Sequence, residues 1–131
     1  MFPEECRYTN DHEWVRPDGE GFAKVGITTY ATEALGEILY VVLPAVGTRL
    51  GQMEKFGEIE VVKTTSELFC PVSGEVVELN PKVQADAGII NKEPYDAGWI
   101  IRVRMNDPAE LEALMTAEVY AEFVRGLTGG E

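Results

Sequence analysis

The sequence has one histidine, two cysteines and only 11 lysines and arginines in 131 residues. Each shortage excludes something. With His12 as the sole imidazole, and with Cys6 and Cys70 far apart and outside any CxxC pair, Cys and His alone cannot build a four-ligand structural zinc site. Two separated cysteines do not make a disulfide-rich secreted scaffold either, and they suit a reducing cytoplasm. A Cys6–His12 pair is a conceivable nucleophilic arrangement, but there is no G-x-G-x-x-G, no P-loop and no G-x-S-x-G, and independent catalysis is not expected. No apolar run approaches the roughly 18 to 20 residues that span a bilayer. The opening Met1-Phe2-Pro3-Glu4-Glu5-Cys6 lacks the basic and apolar regions of a secretory signal, so a cytoplasmic location is expected. The few cations face 23 acidic residues, for a net charge of −12. Such a surface repels phosphate backbones and anionic lipid, which argues against nucleic acid and membrane as partners and suits a solvated acidic face or a cationic protein partner.

What is present is enough for one packed domain. Apolar residues make up 45% of the chain, sufficient for a core without disulfide or metal support. The first two thirds predict strands and turns. Glu13 to Arg16 is a strand closed by Pro17-Asp18-Gly19, and Phe22 to Ile27 alternates as a half-buried return. Thr28 to Leu35 predicts a short helix, capped by Thr28 or Thr29 and stopped by Gly36. Glu37 to Leu43, Phe56 to Val62, Gly74 to Leu79 and Trp99 to Met105 are further strands. A weak echo between Gly36-Glu37-Ile38…Leu43-Pro44-Ala45-Val46 and Gly74-Glu75-Val76…Leu79-Asn80-Pro81-Lys82-Val83 suggests two sheets related by a pseudo-twofold axis. Asp107-Pro108-Ala109-Glu110 places a cap, a first-turn proline and a glutamate at capping-box spacing before a helical stripe of Leu111, Leu114 and Met115. Thr116 caps a second helix carrying Val119, Tyr120, Phe123 and Val124. The organisation expected is a core over about 7–105, C-terminal helices over about 107–125 and a frayed tail over 126–131.

Between Val62 and Leu68 the apolar pattern breaks at Lys63-Thr64-Thr65-Ser66-Glu67, which reads as a hairpin with Lys63 opening the turn. A lysine there projects its amine into solvent, and acylation would make the attached group the reactive part. On its own the signal is weak, because a lysine in a polar turn is ordinarily just solvated.

The wider pattern is specific. His12-Glu13-Trp14-Val15, Val25-Gly26-Ile27-Thr28, Tyr30-Ala31, Leu35-Gly36-Glu37 and Leu43-Pro44 with Val46-Gly47 resemble the H protein of the glycine cleavage system. So do Glu60-Val61-Val62-Lys63, Pro71-Val72-Ser73-Gly74-Glu75-Val76, Asn91-Lys92-Glu93-Pro94-Tyr95 and Gly98-Trp99. The resemblance covers Tyr8 to Val124. It implies a mainly β, lipoyl-domain-like barrel-sandwich hybrid of two antiparallel sheets with a short internal helix and C-terminal helices. It also implies a covalent carrier rather than an enzyme, with lipoic acid in amide linkage to Lys63 and with Glu60 and Gly74 read by the lipoylating enzyme. The implied partners are a pyridoxal-phosphate glycine decarboxylase (P protein), an aminomethyltransferase (T protein) and a dihydrolipoyl dehydrogenase (L protein). The first loads an aminomethyl group from glycine, the second passes the one-carbon unit on, and the third reoxidises the carrier. A carrier visited by several enzymes is expected to be monomeric.

The family folds the loaded arm into a cleft, and the matching positions here include His12, Glu13 and Glu67. Read as residues alone, Glu13 and Glu67 are solvated surface carboxylates, His12 packs beside Trp14, and Trp14 and Trp99 are core. Several positions depart from the family pattern: Val61 for serine, Thr64 for alanine, Asp96 for glycine, Ala34 for a polar cleft residue, and cysteine at 6 and 70. They keep open an H-like lipoate carrier that moves sulfur for a heterodisulfide-reductase-like system, with Cys6 and Cys70 as thiols near the arm. A non-lipoylated docking module is a further alternative, whereas a biotin carrier is poor because Lys63 lacks methionine flanks.

Overall fold

The computed structural model describes residues 2–128; Met1 and residues 129–131, the last of which fall in the expected tail, lie outside the described residues. Strands β1 (Arg7–Tyr8), β2 (Glu13–Pro17) and β3 (Phe22–Ile27) form an antiparallel meander. Helix α1 (Thr29–Leu35) follows, with the Thr28 hydroxyl accepting from Ala31 N and Gly36 at φ +82° ending it. That φ is in the left-handed region a glycine adopts without strain, so the helix stops where the sequence places its stop.

The remaining strands are β4 (Ile38–Val42), β5 (Arg49–Leu50), β6 (Lys55–Val61), β7 (Thr65–Phe69), β8 (Gly74–Leu79) and β9 (Ile101–Met105). One sheet has the order β1-β2-β3-β9-β8-β5 and the other β4-β6-β7, all pairs antiparallel and neither sheet closed into a barrel. They face each other across one core. Val15, Val25, Val76, Ile101 and Val103 from the six-stranded sheet meet Ile38, Val41, Ile59, Val61 and Leu68 from the three-stranded sheet. In β9 the expected alternation holds, with Ile101 and Val103 buried and Arg102 and Arg104 turned outward. The two echoing segments lie on opposite sheets, β4 in one and β8 in the other.

Between β8 and β9 the chain forms two short helices that periodicity did not reveal, α2 (Pro81–Ala85) and α3 (Ile89–Lys92). Both are too brief to build an apolar stripe. Asn80 caps α2 through Lys82 N at 3.0 Å.

The C-terminal region differs from expectation in two ways. Pro108–Ala113 is a 3-10 helix rather than an α-helix. Glu110 does not close a capping box; its carboxylate accepts from Ser73 N at 2.7 Å and from Ser73 Oγ at 2.9 and 3.0 Å. The tertiary anchor competes with the local one and wins. The Arg7 guanidinium then satisfies the Leu111 and Leu114 carbonyls at 3.0 and 3.3 Å. Helix α4 (Ala117–Leu127), capped by the Thr116 side chain, continues through Gly126, which the sequence assigns to the tail. No left-handed residue stops the helix there, so it runs to the Thr128 cap. A second, aromatic cluster of Phe2, Tyr8, Trp14 and Tyr120 docks α4 beside β1 and β2.

Candidate functional site

Lys63 sits in the turn of the β6–β7 hairpin. Glu60 pairs with Thr65, and Val61 N donates to Thr64 O at 3.0 Å, so the turn proper is Val62-Lys63-Thr64. It is tighter than the polar break suggested, because Thr65, Ser66 and Glu67 belong to β7. The inward residues Ile59, Val61 and Leu68 anchor the base in the core while Val62, 78% exposed, and Lys63 stand clear of it. Lys63 makes no hydrogen bond or ion pair among the described residues. An unburdened primary amine on a rigid tip fits acylation by a carboxylic cofactor. Nothing around it must be displaced.

Glu60 is half-buried at the tip end of the same hairpin, in the register pair next to the turn, opposite Tyr40 and Thr65. Gly74 is elsewhere: it opens β8 in the other sheet, paired with Leu50 and Met105. A Cβ at Gly74 would collide with the Arg104 carbonyl oxygen. That position therefore demands glycine for packing alone.

Two positions past Lys63 an open groove of about 620 Å³ begins, lined by Thr65, Ser66, Glu67 and Phe69 of β7, Glu58 of β6, and the Asn10-Asp11-His12 loop. His12 and Glu67 both line this groove. Asp11 and Glu58 join them. Glu58 and Glu67 stand directly opposite across the β6–β7 ladder, an arrangement that repels unless a cation intervenes. Lys55 supplies it, with Nζ 2.6 Å from Glu58 and 3.3 Å from Glu67. Its hydrogen bonds to Glu58 and then Glu67 hold the ammonium above its ordinary range.

Glu13 is not a surface carboxylate. It is 1% exposed and bonds to Phe69 of the groove lining. Its Oε1 accepts from Thr9 Oγ1 at 2.8 Å and its Oε2 from Phe69 N at 3.0 Å. Phe69 is on β7, the outer strand of its sheet, and the Glu13 carboxylate satisfies an N–H that this edge leaves without a strand partner. One side chain thus ties the start of β2 to the edge of the other sheet. Burial pushes the carboxyl up to about 8, against the opposing pull of the Phe69 and Thr9 hydrogen bonds. The register that places Phe69 beside Glu13 is a tertiary fact, with no signal in either segment alone.

His12 adopts φ +69°, a left-handed conformation uncommon outside glycine. Its Nδ1 lies 2.7 Å from the Tyr120 hydroxyl and its ring 4.6 Å from that of Tyr30. Burial lowers its proton affinity, with Asp11 acting in the opposite sense. Trp14 is fully buried, as expected, and donates to Pro94 O at 3.0 Å; Trp99 is half-buried under the Lys24 ammonium. Ala34 and Asp96 are exposed and are not among the residues that line the groove. Cys6 and Cys70 are buried free thiols, pushed up by burial to about 11 and about 12. Neither is poised as a thiolate at neutral pH.

The glycine cleavage H-protein family matches residues 6–126. The glycine cleavage system H protein of Bacteroides fragilis is 49% identical over 123 residues, 94% of this chain and 97% of that one. Its counterpart from Symbiobacterium thermophilum is 44% identical over 123 residues, 94% and 95% of the two chains. The crystal structure of a glycine cleavage system H protein from Mycobacterium marinum superposes with a TM-score of 0.84 at 40% identity, over 93% of this chain and 98% of that one.

Proposed function

The chain belongs to the glycine cleavage H-protein family, and from that premise we propose that it is a covalent lipoyl carrier of the glycine cleavage system rather than a catalyst. The observation that carries the reading is Lys63, exposed and without a partner among the described residues, on a hairpin tip whose base is locked in the core, with an acidic groove starting two positions away. Lipoic acid in amide linkage to Lys63 Nζ would supply a cyclic disulfide open to two-electron exchange.

The chain's own residues do the rest. The hairpin fixes the base of the arm, which raises its effective concentration at each partner's site. Asp11, Glu58 and Glu67, of which Lys55 offsets one charge, leave the groove net negative, which suits the cationic aminomethyl cargo, with Glu13 buried behind the wall. Glu60 and Gly74 are the positions at which a lipoylating enzyme would read the fold, Gly74 by letting β8 approach the Arg104 carbonyl. The P protein would load the arm, the T protein unload it and the L protein reoxidise it. A cytoplasmic monomer built as one domain suits a carrier that must visit each in turn.

The sulfur-carrying alternative would draw on Cys6 and Cys70 as thiols near the arm. Both are buried and held protonated, and no observation here favours that reading. The test is loading. The lipoylated chain, glycine and a glycine decarboxylase should yield an aminomethyl adduct on the Lys63 peptide. No adduct, under conditions where another H protein is loaded, would refute the glycine assignment.

A further inference from the structure

Tyr120 has a ring that packing explains and a hydroxyl that it does not. The ring is fully buried, stacked on Tyr8 at 4.7 Å and meeting Phe2 edge-on at 4.8 Å. A phenylalanine would fill the same space. The hydroxyl, however, lies 2.8 Å from Thr28 Oγ1 and 2.7 Å from His12 Nδ1, so α4, the cap of α1 and the groove loop meet at one oxygen.

Donor accounting fixes the direction of this chain of bonds. Thr28 Oγ1 already accepts from Ala31 N at the helix cap, leaving its own hydrogen to donate. Tyr120 is the acceptor within reach. The Tyr120 hydrogen is then free for His12 Nδ1, which must carry a lone pair. The reverse order would strand the Thr28 hydrogen in a buried site. The backbone is tied at the same place, since Thr28 N donates to His12 O at 3.0 Å and His12 N to Thr9 O at 3.1 Å. These bonds hold His12 in its left-handed conformation.

We propose that Tyr120 is a positioning residue for the groove, whose hydroxyl holds His12 as the neutral imidazole that keeps its hydrogen on Nε2. The consequence lies in the charge of the groove wall. The groups around His12 are Asp11 on its own loop, Tyr30 of α1, Tyr120 and Phe123 of α4, and, lining the same groove, Glu58 and Glu67 with the Lys55 ammonium between them. A neutral ring leaves the acidic groups in charge of the groove. An imidazolium would set a positive charge against a cationic arm. The direction in which burial moves His12 agrees with the geometry. The effect on the arm rests on the groove being the arm's resting place; the effect on His12 does not.

The test uses the full chain and its Tyr120→Phe variant, with folding checked by thermal melting. Imidazole nitrogen shifts should report the Nε2–H tautomer in the parent and a proton affinity below that of free histidine. In the variant the affinity should rise toward the ordinary value. Spontaneous loss of aminomethyl from the loaded arm should be about two- to fivefold faster in the variant at pH 6 and nearly equal at pH 8. An Nδ1–H tautomer in the parent, or an unchanged His12 titration in Y120F, would overturn the proposal. If His12 responds as expected but the parent arm decays as fast as free aminomethyl-dihydrolipoamide, the groove reading fails and the positioning of His12 stands. Should Y120F fail to fold, the tautomer in the parent decides alone.

Discussion

Glu13 holds a carboxyl where most proteins would place an apolar group, and it does so because the edge strand β7 needs an acceptor for Phe69 N. Burial raises its proton affinity from 4.5 to about 8. A carboxyl that titrates higher folded than unfolded favours folding fully below pH 4.5, and that contribution is lost as pH rises through about 8. Urea unfolding at pH 5, 6.5 and 8 should therefore show stability falling across the window, and Glu13→Gln should flatten the slope. An equal slope in both proteins would mean Glu13 is ionised throughout. Gly74 makes a second claim at this scale. Its missing Cβ lets β8 approach the Arg104 carbonyl, so Gly74→Ala should cost about 1–3 kcal/mol in urea unfolding before any question of enzyme recognition arises. A variant as stable as the parent but poorly lipoylated would instead place its role in recognition.

Among the elements, the β6–β7 hairpin joins a rigid base to a free tip, and its outer face sets Glu58 against Glu67 with Lys55 between them. Lys55→Gln should lower the melting temperature at low ionic strength, and added salt should recover most of the loss. A salt-independent loss would point to packing of the lysine stem instead. Much of this was legible in the sequence. Phe22–Ile27 and Gly74–Leu79 were readable as strands because one face is apolar at period two, and α1 was readable because Thr28 and Gly36 mark its ends with local chemistry. Lys63 was visible as a polar break in an apolar pattern. What stayed hidden depends on register and tertiary partners. Glu58 and Glu67 become neighbours only once the hairpin pairing is known, Glu13 becomes buried only once Phe69 is beside it, and Glu110 leaves its capping box only once Ser73 is within reach. Tyr120 read as one more apolar-face residue of α4, because its hydroxyl partners come from the other end of the chain.

At the scale of the whole molecule, two sheets share a core and the Lys63 hairpin tip stands clear of it, on a body of net charge −12. The charge predicts how partners are met. If they present basic surfaces, association rates should fall steeply between low and physiological ionic strength while dissociation rates change little, which stopped-flow binding to a purified glycine decarboxylase would read. Rates independent of salt would leave the acidity to solubility alone. On the proposed reading the fold serves to present Lys63. The direct measurement is the mass of the Lys63 peptide from protein produced in cells supplied with lipoate. A lipoyl adduct on Lys63, and on none of Lys24, Lys55, Lys82 or Lys92, is the predicted result. An unmodified Lys63, with the ligase shown active on another carrier in the same cells, would contradict it and leave the acidic surface as the functional feature to pursue.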